Sequence, residues 1–360
     1  MKNKIYDHTK KCPICGSDKL ECIGKKADQY LIKFNKYTQL QKNETAFPEY
    51  TIYLSKCNDC KVVFVNPRLS ESALKLFYEI WYTKEYGEIF ADEKHINERI
   101  LEFNKFHRVY VDSMAKKHIN LMPSERFNLL DVGCGTGLFL KTLDNQMYKK
   151  NGVEAFKDAA ESASKMLEND DADIVNNFFS TGLFPENSFD IITMFDFLEH
   201  SESPFEMVKA SAGCLKKNGI LIIRVPNYDS WQAKFSGCDW DAVICDHLFY
   251  FNAQTLAYVL NKNGFEVVST YAGGYKSLAE YIYEKIKIIA SKLNKRIFKK
   301  SNAQPDKLKS DGMIEYSALH LTPDSNFLKR YLLSEVSTLI DMAGSYFNAA
   351  NMITVTAVKK

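Results

Sequence analysis

What this chain has little of narrows its class first. No apolar run approaches the roughly 18 residues that a membrane-spanning helix requires. An excess of charge of one sign is also missing. There are 47 Lys and Arg against 45 Asp and Glu, a formal net charge of +2, so no general field toward nucleic acid is expected. The opening Met1-Lys2-Asn3-Lys4-Ile5-Tyr6-Asp7 lacks an apolar h-region, so a secretory signal is not expected and a soluble, cytoplasmic protein is. No internal repeat is evident. With 360 residues, 46% of them hydrophobic, the chain can bury a full core, and its length suggests two domains.

Cysteine is present in an odd number, nine, and unevenly placed. Cys12-Pro13-Ile14-Cys15 and Cys57-Asn58-Asp59-Cys60 are two C-x-x-C knuckles. Each spacing holds two thiolates on one tight turn, and two such turns facing each other complete a closed tetrahedral site. Outside an oxidising compartment this pattern reads as structural Zn2+ on Cys12, Cys15, Cys57 and Cys60 rather than as disulfides. The 41 residues between Cys15 and Cys57 exceed ordinary ribbon spacing, so strands are inserted there, with Tyr50–Leu54 and Val62–Val65 as candidates. Four thiolates leave the metal no open position, which makes its role structural.

The densest information lies in Leu129-Leu130-Asp131-Val132-Gly133-Cys134-Gly135-Thr136-Gly137. A buried strand runs into a loop with three alternating glycines, where backbone can approach a ligand closely. Leu138–Leu143 then reads as a helix with its amides pointing back into the loop. A P-loop needs Lys-Ser/Thr after the last glycine, and a dinucleotide loop needs a glycine where Leu138 stands. Neither fits. A second strand ends in Glu154, placed to accept hydrogen bonds from both hydroxyls of a ribose.

Asp-x-Gly-x-Gly-x-Gly with this downstream spacing resembles motif I of class I S-adenosylmethionine (SAM)-dependent methyltransferases. Further strands follow in the family's order at Ala172–Val175, Phe189–Phe195, Ile220–Val225 and Phe265–Thr270. Met352–Val358 alternates like the family's last, antiparallel strand. Ser203-Pro204-Phe205-Glu206 reads as a capping box opening a helix that carries Lys216-Lys217 in its last turn and ends before Gly219. The resemblance implies SAM as cofactor, held by Asp131, Gly133, Cys134, Gly135, Gly137, Glu154, Asn177, Phe178, Phe195 and Asp196. The family often has an acid after strand three, where this chain has Asn177 or Phe178.

Helical spacing of Leu74, Phe77, Tyr78 and Trp81 after Ser70, and of Ile96, Ile100, Phe103, His107, Tyr110 and Met114, predicts two helices after the second knuckle. His107 reads as a core histidine. The whole resembles zinc-ribbon-bearing methyltransferases, a group with members in deoxysugar, surface-glycan and secondary-metabolite pathways. The fold expected is α/β, a Rossmann-like seven-stranded sheet with an N-terminal four-cysteine zinc ribbon and a helical C-terminal insertion. Its domains are a ribbon (1–68), a helical connector (69–122), the SAM-binding core (123–275), an insertion or lid (276–350) and the last core strand (351–360).

In this group the ribbon and connector help form the acceptor pocket, which implies Tyr82 and Tyr86 as acceptor contacts. A sulfonium methyl is already activated, so a hydroxyl acceptor needs alignment and a base. His247 is the first candidate and His200 the second, with Asp246 to orient an imidazole. Deoxysugar C-methyltransferases carry Tyr-x-Glu-His where this chain has Ile244-Cys245-Asp246-His247, which favours O- or N-transfer to a sugar, nucleotide-sugar or related metabolite. Carbon methylation of a keto-sugar, an RNA methyltransferase and a non-catalytic SAM-fold scaffold are the competing readings.

Residues 276–309 hold ten Lys or Arg against three Asp or Glu, and 277–298 is apolar on one face. Such a helix can pack as a lid, touch an anionic membrane or self-associate. A small-molecule acceptor, no nucleic acid, and a monomer or homodimer are expected.

Overall fold

A computed structural model of the chain describes residues 6–28, 31, 50–81, 93–120, 122, 125–273 and 350–360. The expected acceptor contacts Tyr82 and Tyr86, and the amphipathic segment 277–298, lie outside these residues. No described helix is long and apolar enough to cross a membrane.

The N-terminal part is organised by the two cysteine turns. β1 (Tyr6–Asp7) precedes the first, and β2 (Leu20–Ala27) leaves it. β3 (Thr51–Cys57) runs antiparallel to β2 and ends in the second turn, from which β4 (Val63–Val65) returns along β3. Each turn closes on a left-handed residue just after its second cysteine, Gly16 (φ +74°) and Lys61 (φ +66°). Their amides donate to the carbonyls of Cys12 and Cys57, both at 2.9 Å. β5 (Arg68–Leu69) pairs with β1.

α1 (Glu71–Trp81) follows, with the Ser70 hydroxyl accepting from the Ala73 amide at 3.4 Å. Its apolar side buries Leu74 and Phe77. α2 (Glu93–Phe103) passes through a π-turn at Asn104–Arg108 into α3 (Val109–His118). The extra residue in that turn places His107 inward, ahead of the buried Val111, Met114 and Ala115.

The remaining elements alternate. β6 (Phe127–Val132), α4 (Leu138–Thr142), β7 (Tyr148–Glu154), α5 (Lys157–Met166) and β8 (Ala172–Asn176) run outward in one direction. The chain then crosses back to β9 (Phe189–Phe195), α6 (Pro204–Cys214) and β10 (Leu215–Pro226) on the far side of β6. α7 (Trp231–Ser236), β11 (Phe249–Tyr250), α8 (Ala253–Lys262) and β12 (Phe265–Ala272) follow, and β13 (Met352–Lys359) comes last. The seven-stranded sheet has the order β12-β13-β10-β9-β6-β7-β8. β13 is antiparallel to both neighbours, and β6 to β10 pair in parallel. This is the Rossmann-like order expected from the sequence. The order reverses between β6 and β9, which opens a crevice at their C-terminal ends.

β9 and β10 are buried along most of their length, since helices cover both faces. At about 25 cal/mol per Å² of apolar area, each fully buried Ile or Leu contributes roughly 2 kcal/mol. Two local expectations change. The Ser203 side chain makes no capping bond, so Pro204 opens α6 without a capping box. α6 also ends at Cys214, earlier than expected, because Leu215 already pairs with Phe189 of β9. Lys216 therefore lies in β10, where its ammonium meets Asp190 at 2.9 Å.

β11 does not join the large sheet. It pairs with β4, Phe249 opposite Phe64 and Tyr250 opposite Val63, and completes a four-stranded sheet β11-β4-β3-β2. The Val65 amide donates to the Leu248 carbonyl at 3.0 Å, so the ribbon is stitched to the core at this seam.

Candidate active site

The glycine loop leaves β6 at the switch point and is tied to β7. The amides of Gly133 and Cys134 both donate to the Val153 carbonyl, at 2.9 and 3.2 Å. All three glycines have positive φ, +71°, +53° and +79° at Gly133, Gly135 and Gly137. Their surroundings differ. A Cβ at Gly133 would collide with the Phe197 ring, and one at Gly137 would press on Ala163 and Leu167 around α5. At Gly135 a Cβ would meet nothing within 4 Å among the described residues. Two glycines thus serve packing within the protein, and Gly135 is the one whose missing side chain leaves room for a ligand.

Glu154 ends β7 beside this opening. Its carboxylate accepts from the Gly135 amide at 3.0 Å and from the Phe156 amide at 2.9 Å. Burial pushes its pKa up, against the pull of those amides. Each oxygen keeps a second lone pair for a ligand hydroxyl. Asp131 lies deeper, accepting from the Thr193 hydroxyl at 2.6 Å. Burial pushes it up to about 7, against the Thr193 bond and with the Glu154 charge adding. Asp131 is therefore a brace beneath the loop. Cys134 is buried with its thiol pushed up by burial, which fits packing rather than nucleophilic attack.

The neighbouring strand ends complete the cleft. The Asn177 amide donates to the Glu154 carbonyl at 3.0 Å, and Phe178 beside it is 63% exposed. Phe195 points the other way, its ring 4.9 Å from Phe139 and 4.6 Å from His107. Asp196 takes a left-handed turn (φ +52°) with a carboxylate oxygen 3.8 Å from Arg224 Nη1. Arg224 Nη1 in turn donates to His107 Nε2 at 2.9 Å. Burial, with that guanidinium beside it, pushes His107 down to about 2, so it is a neutral core acceptor.

A second group sits past β9. His200 and His247 cross edge to face with ring centroids 4.7 Å apart. Asp246 serves His200 rather than its neighbour in sequence. His200 Nδ1 lies 3.0 Å from the Asp246 carbonyl, 3.4 Å from its carboxylate and 3.0 Å from the Tyr78 hydroxyl. His247 Nδ1 lies 2.8 Å from the Ala242 carbonyl. A carbonyl can only accept, so each Nδ1 carries a proton, and Nε2 is the nitrogen of each ring left for other partners. Burial, with His200 next to it, pushes the His247 pKa well down. Glu199, buried beside them, is pushed well above the carboxylate range by burial and then by Asp196. Contacts link the two groups, because Tyr78 also packs on Phe156, 5.3 Å between centroids, two residues after Glu154.

In the N-terminal part, Cys12, Cys15, Cys57 and Cys60 bring their sulfurs within 4.8 Å of one another. The Cys12–Cys60 and Cys15–Cys57 pairs stand at 3.6 and 3.5 Å. A tetrahedron with metal–sulfur bonds of about 2.3 Å has sulfur–sulfur edges of roughly 3.8 Å, so the donor set fits a thiolate-bound metal. Sequence reasoning placed Tyr78 on a helical stripe and did not single out Glu199 or Phe197. Glu199 and Phe197 lie between Asp196 and His200, both singled out from the sequence, and that position was the available signal. Tyr78 had none, since its partner is 122 residues away.

The methyltransferase-domain family model matches residues 93–270. A ubiquinone biosynthesis O-methyltransferase of Rickettsia typhi is 28% identical over 135 residues, 35% of this chain and 53% of that protein. Its counterpart in Bartonella quintana is 25% identical over 159 residues, 42% of this chain and 64% of that protein. The chain thus spans about half the length of the Rickettsia relative. Among solved structures, a SAM-dependent methyltransferase from Thermotoga maritima superposes with a TM-score of 0.42 at 17% identity, covering 76% of this chain and 99% of that one. One from Archaeoglobus fulgidus gives 0.43 at 14%, covering 71% and 94%.

Proposed function

We propose, on the premise that residues 93–270 form a class I SAM-dependent methyltransferase domain, that the chain moves the SAM methyl to a hydroxyl of a small molecule. SAM lies over Gly133–Gly137, its ribose on Glu154 and its adenine beside Asn177 and Phe178, with Asp196 closing the strand-four side. The observation that carries this reading is the pairing of Gly135, open on its Cβ side, with a Glu154 carboxylate held by two amides.

The acceptor lies beside His200, His247 and Asp246, where two imidazoles leave Nε2 for chemistry. In-line transfer breaks the sulfur–methyl bond as the oxygen–methyl bond forms, and the acceptor proton is lost at this cluster. The rings of Tyr78, Phe156 and Phe197 nearby suit a cyclic acceptor. Sugar and nucleotide-sugar hydroxyls are the class we favour, and phenols the rival, since the relatives named above are O-methyltransferases of ubiquinone biosynthesis. The four cysteines hold one structural zinc, whose closed thiolate shell supplies folding energy and no open coordination position.

Calorimetry with SAM, followed by labelled-methyl transfer to panels of nucleotide-sugars and phenols, tests the proposal. Binding of one SAM per chain and turnover of one panel are expected. Absence of SAM affinity in the full chain would overturn it.

A further inference from the structure

We propose that Glu199, His200 and His247 hold a divalent first-row transition-metal ion on the acceptor side of the cleft. One ligand atom from each lies within 4.8 Å of the others. Two imidazoles and one carboxylate are a ligand set that suits such cations while leaving positions open. The outer partners are in place as well. His247 is oriented by the Ala242 carbonyl at 2.8 Å, and His200 by the Asp246 carbonyl and the Tyr78 hydroxyl, both at 3.0 Å. Such partners on Nδ1 set the tautomer that presents Nε2 to a metal.

Glu199 supplies the independent observation. It is 1% exposed, and its Oε2 has no hydrogen-bond partner among the described residues. No ion pair to it occurs there either. A buried carboxylate oxygen without a partner is costly, and a cation shared with two imidazoles relieves that cost. The 3-10 turn Leu198–His200 and the Leu248 amide, which donates to the Glu199 carbonyl at 2.8 Å, hold the three ligands on rigid backbone.

The ion deepens the proposed function, and its catalytic consequence rests on that reading. With the acceptor hydroxyl on an open coordination position, its pKa falls. The oxygen then attacks the methyl carbon, sulfur keeps the electron pair of the broken bond, and the hydroxyl proton passes to solvent. The imidazoles then serve as ligands, and coordination replaces an imidazole base.

The test uses the full chain and Mn2+, a cation suited to oxygen and imidazole ligands and not to a thiolate cluster. Equilibrium dialysis should find one Mn2+ per chain. Glu199→Gln and His247→Ala should each weaken it at least tenfold. SAM calorimetry on each variant reports folding and keeps the two readings apart. SAM binding without Mn2+ binding would sink the ion and leave the methyltransferase reading standing. Mn2+ binding without SAM affinity would do the reverse. If a variant loses its fold, the wild-type stoichiometry still decides, and Mn2+ held equally well by folded Glu199→Gln and His247→Ala would overturn the assignment.

Discussion

Cys12, Cys57 and Cys60 are among the buried side chains of the N-terminal ribbon, whose sheet has three short strands of its own and borrows β11 as a fourth. In the large sheet, by contrast, Ile191, Ile192, Met194, Ile220, Leu221, Ile222, Ile223 and Val225 are all fully buried in two adjacent strands. The large sheet is held by apolar area, which accumulates with size. A ribbon this small buries little apolar area, and the proposed zinc would cross-link it. The histidine cluster lies near the seam between these regions. Tyr78 comes from the helix after the ribbon, and His247 from the segment just ahead of β11.

The sharpest way to break this contrast is to remove the cross-link. On the proposed zinc reading, Cys57→Ser with Cys60→Ser should lose the metal and unfold the ribbon, a change on the order of 10 kcal/mol for a structural site. SAM affinity should stay within about threefold by calorimetry. Should SAM binding vanish with the zinc, the two regions are one cooperative unit.

At the seam, His247→Ala should lower turnover by about 10²- to 10⁴-fold while SAM affinity is kept. Unchanged turnover would remove His247 from the chemistry. Within the large sheet, Gly135→Arg should cut SAM affinity about 100-fold or more, since the new side chain fills the ligand's space. Metal analysis of that variant should still find one zinc, and wild-type SAM affinity would refute the placement of the ligand.

The smallest effect expected comes from Asp131. Its folded pKa of about 7 lies above the ordinary 3.8, so the folded state holds the extra proton between those values. The associated stability is complete below about pH 4 and fades as pH rises through about 7. Relative to Asp131→Asn, the wild type should lose roughly 2 to 2.5 kcal/mol between pH 5 and pH 8 in urea unfolding. An identical gap at both pH values would show that Asp131 is not the buried brace described above.

Much of the large sheet was legible because its strands are written locally. Phe189–Phe195 is nearly continuously apolar, broken only by Asp190 and Thr193, Met352–Val358 alternates, and Gly264 marks the end of α8 with φ +80°. The knuckles were legible for the same reason, as spacing within one turn. β11 was not, since two residues carry no period, and its pairing with β4 lies far along the chain. The early end of α6 was hidden as well, because the pairing of Leu215 with Phe189 outweighs the helical pattern.

By itself the sequence determined the order of elements, the glycine loop with its acid at Glu154, and the two cysteine pairs. These rest on periodicity and turn chemistry that act over a few residues. Tertiary structure alone decided that Phe197 occupies the space beside Gly133 while Gly135 stays open. It also decided that Asp246 serves His200, 46 residues away, and that Tyr78 reaches the same imidazole. The direction of a side chain and the identity of its distant neighbour are settled by packing, which no local pattern encodes.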